Sequence, residues 1–510
     1  MMGTLQLNSG SIMLVFLVLY GLHRLISFLW WRPKRTQKLF RSQGIKGPSY
    51  KLLLGNLKDL AQIKQQHKSQ TQKGVATSKH DIVSGIMPHI NVWRKKYGSV
   101  YLYWFGTSPR LVLMEPELIR EMTVTKSKHF VKNITNPYLN EMLGNSVVII
   151  NGEVWESHRK ILNPFFNLES LKGMVPIVVR ITKEMVNRWK DSATCGTREI
   201  EVQKDLRALT GDVIARTAFG DEFKQAHAIF ELLLEQSKMN AQAMRTFYIP
   251  GSWYLPTPFN RKYKRLNKEG DRLFKELIEG QDIGLSQQYG ILELMLSENR
   301  KAKSMSTQDI IDECKTFFAA GYSTTSLLLS WATMLLGMYT EWQERAREEV
   351  RDVLDGGPPT FENLNRLKTL NMILNETLRL YSPATLTMRK ANEETKLGNL
   401  TVPAGTVVEV PIIAIHHEPE QWGDDVHQFN PGRFKDGVSK ASKHPMAFMP
   451  FGHGPTMCMG MNFAMIESKS ALAIILQNFS FVISPTYKHS PQCGVTLGPE
   501  HGVHIILSKI

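Results

Sequence analysis

At 510 residues and 58.1 kDa, with 42% hydrophobic, 9% aromatic and 21% charged residues, the chain has ordinary globular composition, which excludes collagen-like, coiled-coil and disordered classes. Its four cysteines, Cys195, Cys314, Cys458 and Cys493, include no CxxC pair, so a disulfide scaffold and a zinc ribbon are excluded as well. The net charge of +15 is unevenly spread: residues 1–50 carry seven basic residues and no acid, a collar beside an apolar run rather than a nucleic-acid stripe, and no nucleic-acid partner is expected.

Ser11 to Trp31 is a mostly apolar run of 21 residues. As a helix it is roughly 30 Å long, the thickness of a bilayer core. Arg24 lies past its middle, within snorkelling reach of one interface, and Trp30 and Trp31 stand where an aromatic belt belongs. A cleaved signal peptide wants a positive start and small residues at its cleavage site, whereas this run starts uncharged and exits through WWRPKR. Arg32, Lys34, Arg35, Lys38, Arg41 and Lys46 follow, so the positive-inside rule places the body in the cytosol. The predicted organisation is a membrane anchor over residues 1–31, a basic hinge over 32–50 containing Gly44, Gly47 and Pro48, and one large domain over 51–510.

No repeat period runs through the body. Residues 61–80 are rich in Gln and Lys and read as a solvated helix or loop. From Asp81 onward helical spacing dominates, as in Ile310, Cys314, Phe317, Phe318, Gly321 and Leu328, and again from Ala464 to Leu476. Strand signals are short and few: Val100–Phe105, Arg110–Met114, Leu400–Val402 and Thr406–Pro411. The predicted fold class is mainly α, a large helical domain with small β-sheets behind a single N-terminal transmembrane helix.

Three local patterns carry chemistry. Ala320-Gly321-Tyr322-Ser323-Thr324-Thr325 interrupts an apolar helix with glycine and hydroxyls. Those hydroxyls either widen the helix and bind water or dioxygen, or bond back to the helix beside a packing glycine. Glu376 and Arg379 share one face of a helix predicted over Leu370–Tyr381; alone, such a pair is usually a surface contact of little worth. Phe451-Gly452-His453-Gly454-Pro455-Thr456-Met457-Cys458-Met459-Gly460 places a cysteine behind a glycine-rich loop and ahead of a helix. Helix N-termini and free loop N–H groups stabilise a thiolate, and glycines let a flat cofactor approach the backbone. A thiolate so held is what haem iron needs for O–O cleavage; the competing reading is a buried, inert cysteine, which we assign to Cys195, Cys314 and Cys493.

The order of these motifs resembles the cytochrome P450 family of haem-thiolate monooxygenases, over essentially the whole chain. The resemblance implies haem b, with Cys458 as axial iron ligand in the loop marked by Phe451, Gly454 and Gly460. It implies a structural triad of Glu376, Arg379 and Arg433, the last within Asn430-Pro431-Gly432-Arg433-Phe434. It implies an oxygen-activating role for Thr324 beside Ser323, and haem propionate contacts from Trp155 and Arg159 of a WxxxR pattern and from Arg389. Gly44-Ile45-Lys46-Gly47-Pro48, Asn163-Pro164-Phe165-Phe166 and Asp312-Glu313-Cys314-Lys315 are similar to the plant clan that contains secologanin synthase and the cytokinin, gibberellin and brassinosteroid hydroxylases. Three positions depart from the pattern: Ser323 stands where the family usually has an acid, Thr456 where it has an arginine, and Gly432 where it has an acid.

The expected activity is insertion of one oxygen atom from dioxygen into a small lipophilic substrate, a terpenoid or plant hormone, at the endoplasmic reticulum membrane with the catalytic domain facing the cytosol. The expected electron source is NADPH, through NADPH-cytochrome P450 reductase. The alternatives are a reductase-independent haem-thiolate isomerase or dehydratase, and a catalytically impaired haem-binding membrane protein.

Overall fold

The structure is a computed structural model that describes residues 9–72, 80–134, 136–192, 197–220, 226–245, 251–279, 290–302 and 305–510. It is mainly helical with small sheets. Helix runs without a break from Ser9 to Ser42, with one π-type stretch at Ser27–Trp31. Among the described residues this is the one helix long and apolar enough to cross a membrane. It continues through Arg32–Ser42 because Pro33 sits in the first turn of that stretch, where no N–H is needed, and Lys, Arg and Gln are good helix formers.

The strands, in chain order, are β1 (Val100–Phe105), β2 (Ser108–Leu113), β3 (Phe130–Lys132), β4 (Thr197–Glu201), β5 (Thr387–Ala391), β6 (Thr395–Leu397), β7 (Leu400–Val402), β8 (Val407–Val410), β9 (Phe479–Ile483), β10 (Pro491–Cys493), β11 (Leu497–Pro499) and β12 (His504–Lys509). The chain forms two compact units. One comprises Met1–Ala76, Val83–Val131 and Met388–Pro411; the other comprises Thr77–Ile82, Lys132–Thr387 and Ile412–Ile510.

The first unit is built on a five-stranded sheet in the order β1-β2-β8-β5-β3. β1 and β2 pair antiparallel from Val100↔Leu113, and β8 adds to β2 in parallel. Five of the six β1 residues are buried, as expected of a strand covered on both faces. A buried carboxylate, Glu409 of β8, accepts from the Tyr103 hydroxyl at 2.7 Å and faces Arg110 at 3.4 Å. The segment expected as a hinge is tied down here. Leu102 N–H donates to the Lys46 carbonyl at 2.9 Å, and a Cβ on Gly47 would stand 1.8 Å from the Leu102 oxygen, so only glycine permits this approach. Gln43 clamps β7 through both amide atoms, donating to the Thr401 carbonyl and accepting from its N–H. The segment over 32–50 is therefore helix up to Ser42 and a docked strap beyond it.

The second unit is organised around a 32-residue helix, Thr307–Met338, about 48 Å long. Ser306 and Asp309 form a reciprocal capping box at its start. The helix is buried along most of its length, as a core helix is, and its C-terminal half is mostly apolar. It packs on Val202–Phe219, where a Cβ on Gly321 would meet Ile214 Cγ1 at 2.8 Å, and on Met461–Asn478. A three-stranded sheet, β4-β12-β9, and the hairpin β10-β11 complete this unit.

Candidate active site

The cysteine loop is closed by its own backbone. Cys458 N–H donates to the Phe451 carbonyl at 2.9 Å, Gly452 N–H to Met449, and Met457 N–H to Gly454. Gly452 and Gly454 have φ of +72° and +74°, the left-handed region that glycine adopts without strain. Gly460 then leads into the helix Met461–Asn478, and a Cβ there would touch Cys458 Sγ at 3.9 Å and Phe166 at 3.8 Å. The Cys458 side chain opens to accessible space although it lies deep in the body. Burial accordingly pushes its thiol up, while the Gly460 N–H and the Arg159 guanidinium favour the thiolate. Cys314 is buried and its thiol is pushed up by desolvation; Cys493 contacts the Thr385 hydroxyl at 3.3 Å. Cys195 lies outside the described residues.

Arg159 comes to this loop from the helix Gly152–Leu162, donating to the Met457 carbonyl at 2.9 Å. Trp155, one turn earlier, carries that guanidinium at 5.9 Å from its ring and the Lys132 ammonium at 5.0 Å. The WxxxR pair is thus a positively charged face beside the sulfur.

The long helix is continuous through Ala320–Thr325, so of the two readings left open for its hydroxyls the helix follows the bonding-back one. Thr324 Oγ1 donates to the Ala320 carbonyl at 2.8 Å, the local bond that lets a hydroxyl sit in an intact helix. The flanks of the helix are buried, yet Ala320 is exposed and Ala319, Ser323 and Thr324 are half-buried. The middle of a core helix therefore presents an open face that carries both hydroxyls. Phe317, at its edge, meets Phe166 at 5.8 Å between ring centroids, and Phe166 is the ring nearest Gly460. An accessible sulfur, a glycine margin and an open helix face joined by aromatic contacts fit a flat, thiolate-ligated cofactor.

Beneath the loop, Glu376 and Arg379 are fully buried and meet through two bonds of 2.7 Å. Arg379 also donates to the carbonyls of His416, Val426 and Gln428, and Glu376 accepts from Asn430 N–H at 3.0 Å. Arg433 approaches Glu376 at 3.5 Å, but its shorter contact is to Asp425 at 2.5 Å. The triad is therefore a tetrad. Asp425 carries no sequence signal, being one carboxylate in a loop. The neighbouring His416 is held neutral: burial and the Arg379 charge lower it to about 3, and it accepts from Met449 N–H at 3.0 Å. Arg389 belongs to the other unit, half-buried on β5, where burial pushes its pKa down.

Glu313 and Glu467 are further buried carboxyls that escaped the sequence reading. Glu313 accepts from Val147 N–H at 2.7 Å and faces His158 Nδ1 at 2.8 Å. Glu467, on the helix after the cysteine, is held well above the usual carboxylate range by burial, with the Thr325 hydroxyl pulling the other way. No local pattern flags them, since Glu313 stands between Asp312 and Lys315 and Glu467 stands two residues before Lys469.

The family model described as Cytochrome P450 matches residues 80–505 of the chain. The chain is 42% identical to cytochrome P450 CYP72A616 of Paris polyphylla over 498 residues, covering 95% of each. It is 39% identical to secologanin synthase 2 of Catharanthus roseus over 510 residues, covering 97% of the chain and 96% of that protein. To 11-oxo-beta-amyrin 30-oxidase of Glycyrrhiza uralensis it is 41% identical over 502 residues, with 95% of each covered.

Proposed function

Because this chain belongs to the cytochrome P450 family and is one of its monooxygenases, we propose that Cys458 holds haem b and that the enzyme inserts one atom of dioxygen into a small lipophilic substrate. The observation that carries this reading is the accessible Cys458 sulfur, bonded by the Gly460 N–H and flanked by Arg159. When bound, the haem supplies dioxygen activation, which thiolate ligation promotes. Arg159 and Trp155 are the groups proposed to take its propionates, and Thr324 and Ser323 to orient water and pass a proton. Phe451, Gly454 and Gly460 shape the loop around the sulfur. The names secologanin synthase and 11-oxo-beta-amyrin 30-oxidase favour a terpenoid-type substrate. NADPH-cytochrome P450 reductase is the proposed electron donor. Product formation that requires NADPH and reconstituted reductase supports this reading, and rearrangement of an organic peroxide substrate to an isomer or dehydrated product without either overturns it in favour of an isomerase or dehydratase.

The same reading places residues 1–31 as anchor in the endoplasmic reticulum membrane and residues 51–510 in the cytosol, joined by the basic 32–50 segment. Deleting residues 1–31 is expected to release much of the protein from membranes with its haem retained. The cut removes the Leu29 carbonyl that accepts from the Tyr50 hydroxyl at 2.6 Å, a loss of about 1 kcal/mol that the body tolerates. Sedimentation of membranes with a haem assay checks it. Loss of folding would show that the segment is part of the body, and full protease protection of the body in sealed microsomes would reverse the orientation.

Ser323 has a hydroxyl but no carboxylate, and Thr456 cannot make the charge-assisted bond an arginine gives a propionate. We therefore expect leaky turnover, with part of the reducing equivalents lost as peroxide. Ser323→Asp should lower the peroxide released per NADPH consumed, and Thr456→Arg should slow haem transfer to an apo-globin. If neither moves, the site is adapted to these residues and the family mechanism does not transfer at either position.

A further inference from the structure

Away from the cysteine loop, the second unit holds a cleft of about 550 Å³, the size of an ordinary small-molecule site. Three helices end around it: Leu168–Ser192, Thr340–Leu354 with the turn at Gly356 and Gly357, and Met461–Asn478. Gln477 lies about 24 Å along the last of these from Met461, the residue after the Gly460 margin, so the cleft is separate from the candidate active site. Its charge has one sign. Lys183 and Lys190 stand on one face of the first helix with the Asn187 amide between them, and Arg347 and Arg351 on one face of the second. Among the described residues no carboxylate side chain lines it.

The base of the cleft is preformed. Arg347 donates to Gln343 Oε1 at 2.6 Å and to the Phe479 carbonyl at 3.3 Å, and the Glu344 carboxylate pairs its charge. Gln477 donates to the Gly357 carbonyl at 2.9 Å and pins the turn. Buried Val186, Val350 and Ile474 give the floor an apolar surface. The rim is different. Lys183 and Lys190 have no acid three or four residues away on their helix and make no ion pair among the described residues. Arg351 meets Asp352 at 3.6 Å with both side chains 72% exposed, a contact of little worth. A carboxylate at Ile510, on the edge of the cleft, offsets at most one of these three charges. Lys190 and Arg351 stand in the last turns of their helices, where a cation answers the carbonyl end of the dipole. Lys183 lies about two and a half turns before its helix ends, and Arg347 opposes Arg351 at i, i+4, so the dipoles account for only part of the cluster.

We propose that this cleft binds an organic phosphate of two or more negative charges, with its phosphate oxygens on Lys183, Lys190 and Arg351 and its body on the floor of Val186, Val350 and Ile474. Three unpaired cations call for more than a single negative charge. Two ammonium groups and a guanidinium fork suit phosphate oxygens, which take charge-assisted bonds from both. The apolar floor calls for a body attached to the phosphate, because inorganic phosphate alone leaves that surface wet. Nucleotides and lipid phosphates share this chemistry. The site stands whether or not Cys458 holds haem.

The test titrates the full-length protein, in non-ionic detergent at physiological ionic strength, with ADP, with soluble dioctanoyl phosphatidic acid and with inorganic phosphate. Salt at that level screens a merely diffuse surface charge. Calorimetry is expected to show at least one organic phosphate binding more tightly than inorganic phosphate, and that ligand should raise the melting temperature. Whichever organic phosphate binds more tightly identifies the source. Lys183→Gln combined with Lys190→Gln should weaken its binding about tenfold or more, the loss of two charge-assisted bonds, and leave the thiolate-type carbon monoxide spectrum unaltered. Should the double variant fail to fold, Arg351→Gln, at a largely exposed side chain, decides by the same loss. No binding of either organic phosphate, or affinity no better than that of inorganic phosphate, overturns the site. Affinity unchanged in the variants overturns it too: a lowered melting temperature then assigns the cations to the helix ends, and a raised reductase requirement assigns them to partner docking.

Discussion

Cys458→Ala is expected to abolish the thiolate-type carbon monoxide spectrum completely, while Cys195→Ala, Cys314→Ala and Cys493→Ala leave it intact. Among the described cysteines only Cys458 combines an accessible sulfur with a backbone N–H, from Gly460, and a cation, Arg159, that favour the charged form. Cys314 fails on both counts, since it is buried beside Asp312 and Glu313, whose charges raise its thiol further. A thiolate there would lack solvent and face like charges. Alanine keeps the loop's own bonds, Cys458 N–H to Phe451 and Gly452 N–H to Met449, because both are made by backbone. The variant should therefore fold, and its loss of spectrum reports the ligand rather than the scaffold. A normal spectrum from Cys458→Ala would sink the haem assignment.

What the sequence disclosed, and what it hid, follows from how local each signal is. β1 was legible to the residue because VYLYWF is apolar and aromatic throughout, and five of its six residues are buried. β4 was not, because TREIE carries no such run. It becomes a strand only by pairing with β12, where Ile505 meets Ile200 across some three hundred residues of chain. The cysteine loop announced itself through glycines whose positive φ values no other residue adopts cheaply. The hydroxyls of Ser323 and Thr324 were ambiguous. Whether a mid-helix threonine widens a helix or bonds back to it depends on neighbours that no local pattern reveals, and here Thr324 takes the Ala320 carbonyl. Gly47 and Pro48 looked like hinge residues for the right local reason, yet Gly47 is needed for close approach to β1. Asp425 and Glu467 were invisible because a carboxylate's worth is set entirely by what it faces after folding.

Glu376→Ala should be far more damaging than an ion pair at helical spacing suggests, with poor expression and little haem incorporation. Glu376 and Arg379 have no solvent exposure, and the carboxylate also takes the Asn430 N–H and stands 3.5 Å from Arg433. Removing it strands the Arg379 guanidinium in the core, with three carbonyls but no counter-charge. Leaving one member of a buried pair uncompensated costs on the order of 3–5 kcal/mol, a large part of the stability of an ordinary domain. Arg433 suffers less, because Asp425 remains beside it at 2.5 Å. The damage should therefore follow Arg379, and Arg379→Met combined with Glu376→Leu should recover more folded protein than Glu376→Ala alone, since an apolar pair of similar volume leaves no buried charge. Soluble yield, thermal unfolding and haem content per protein measure this. A Glu376→Ala protein with full haem and unaltered melting would mean that the pair is solvated in the working enzyme and that the tetrad does not support the cysteine loop.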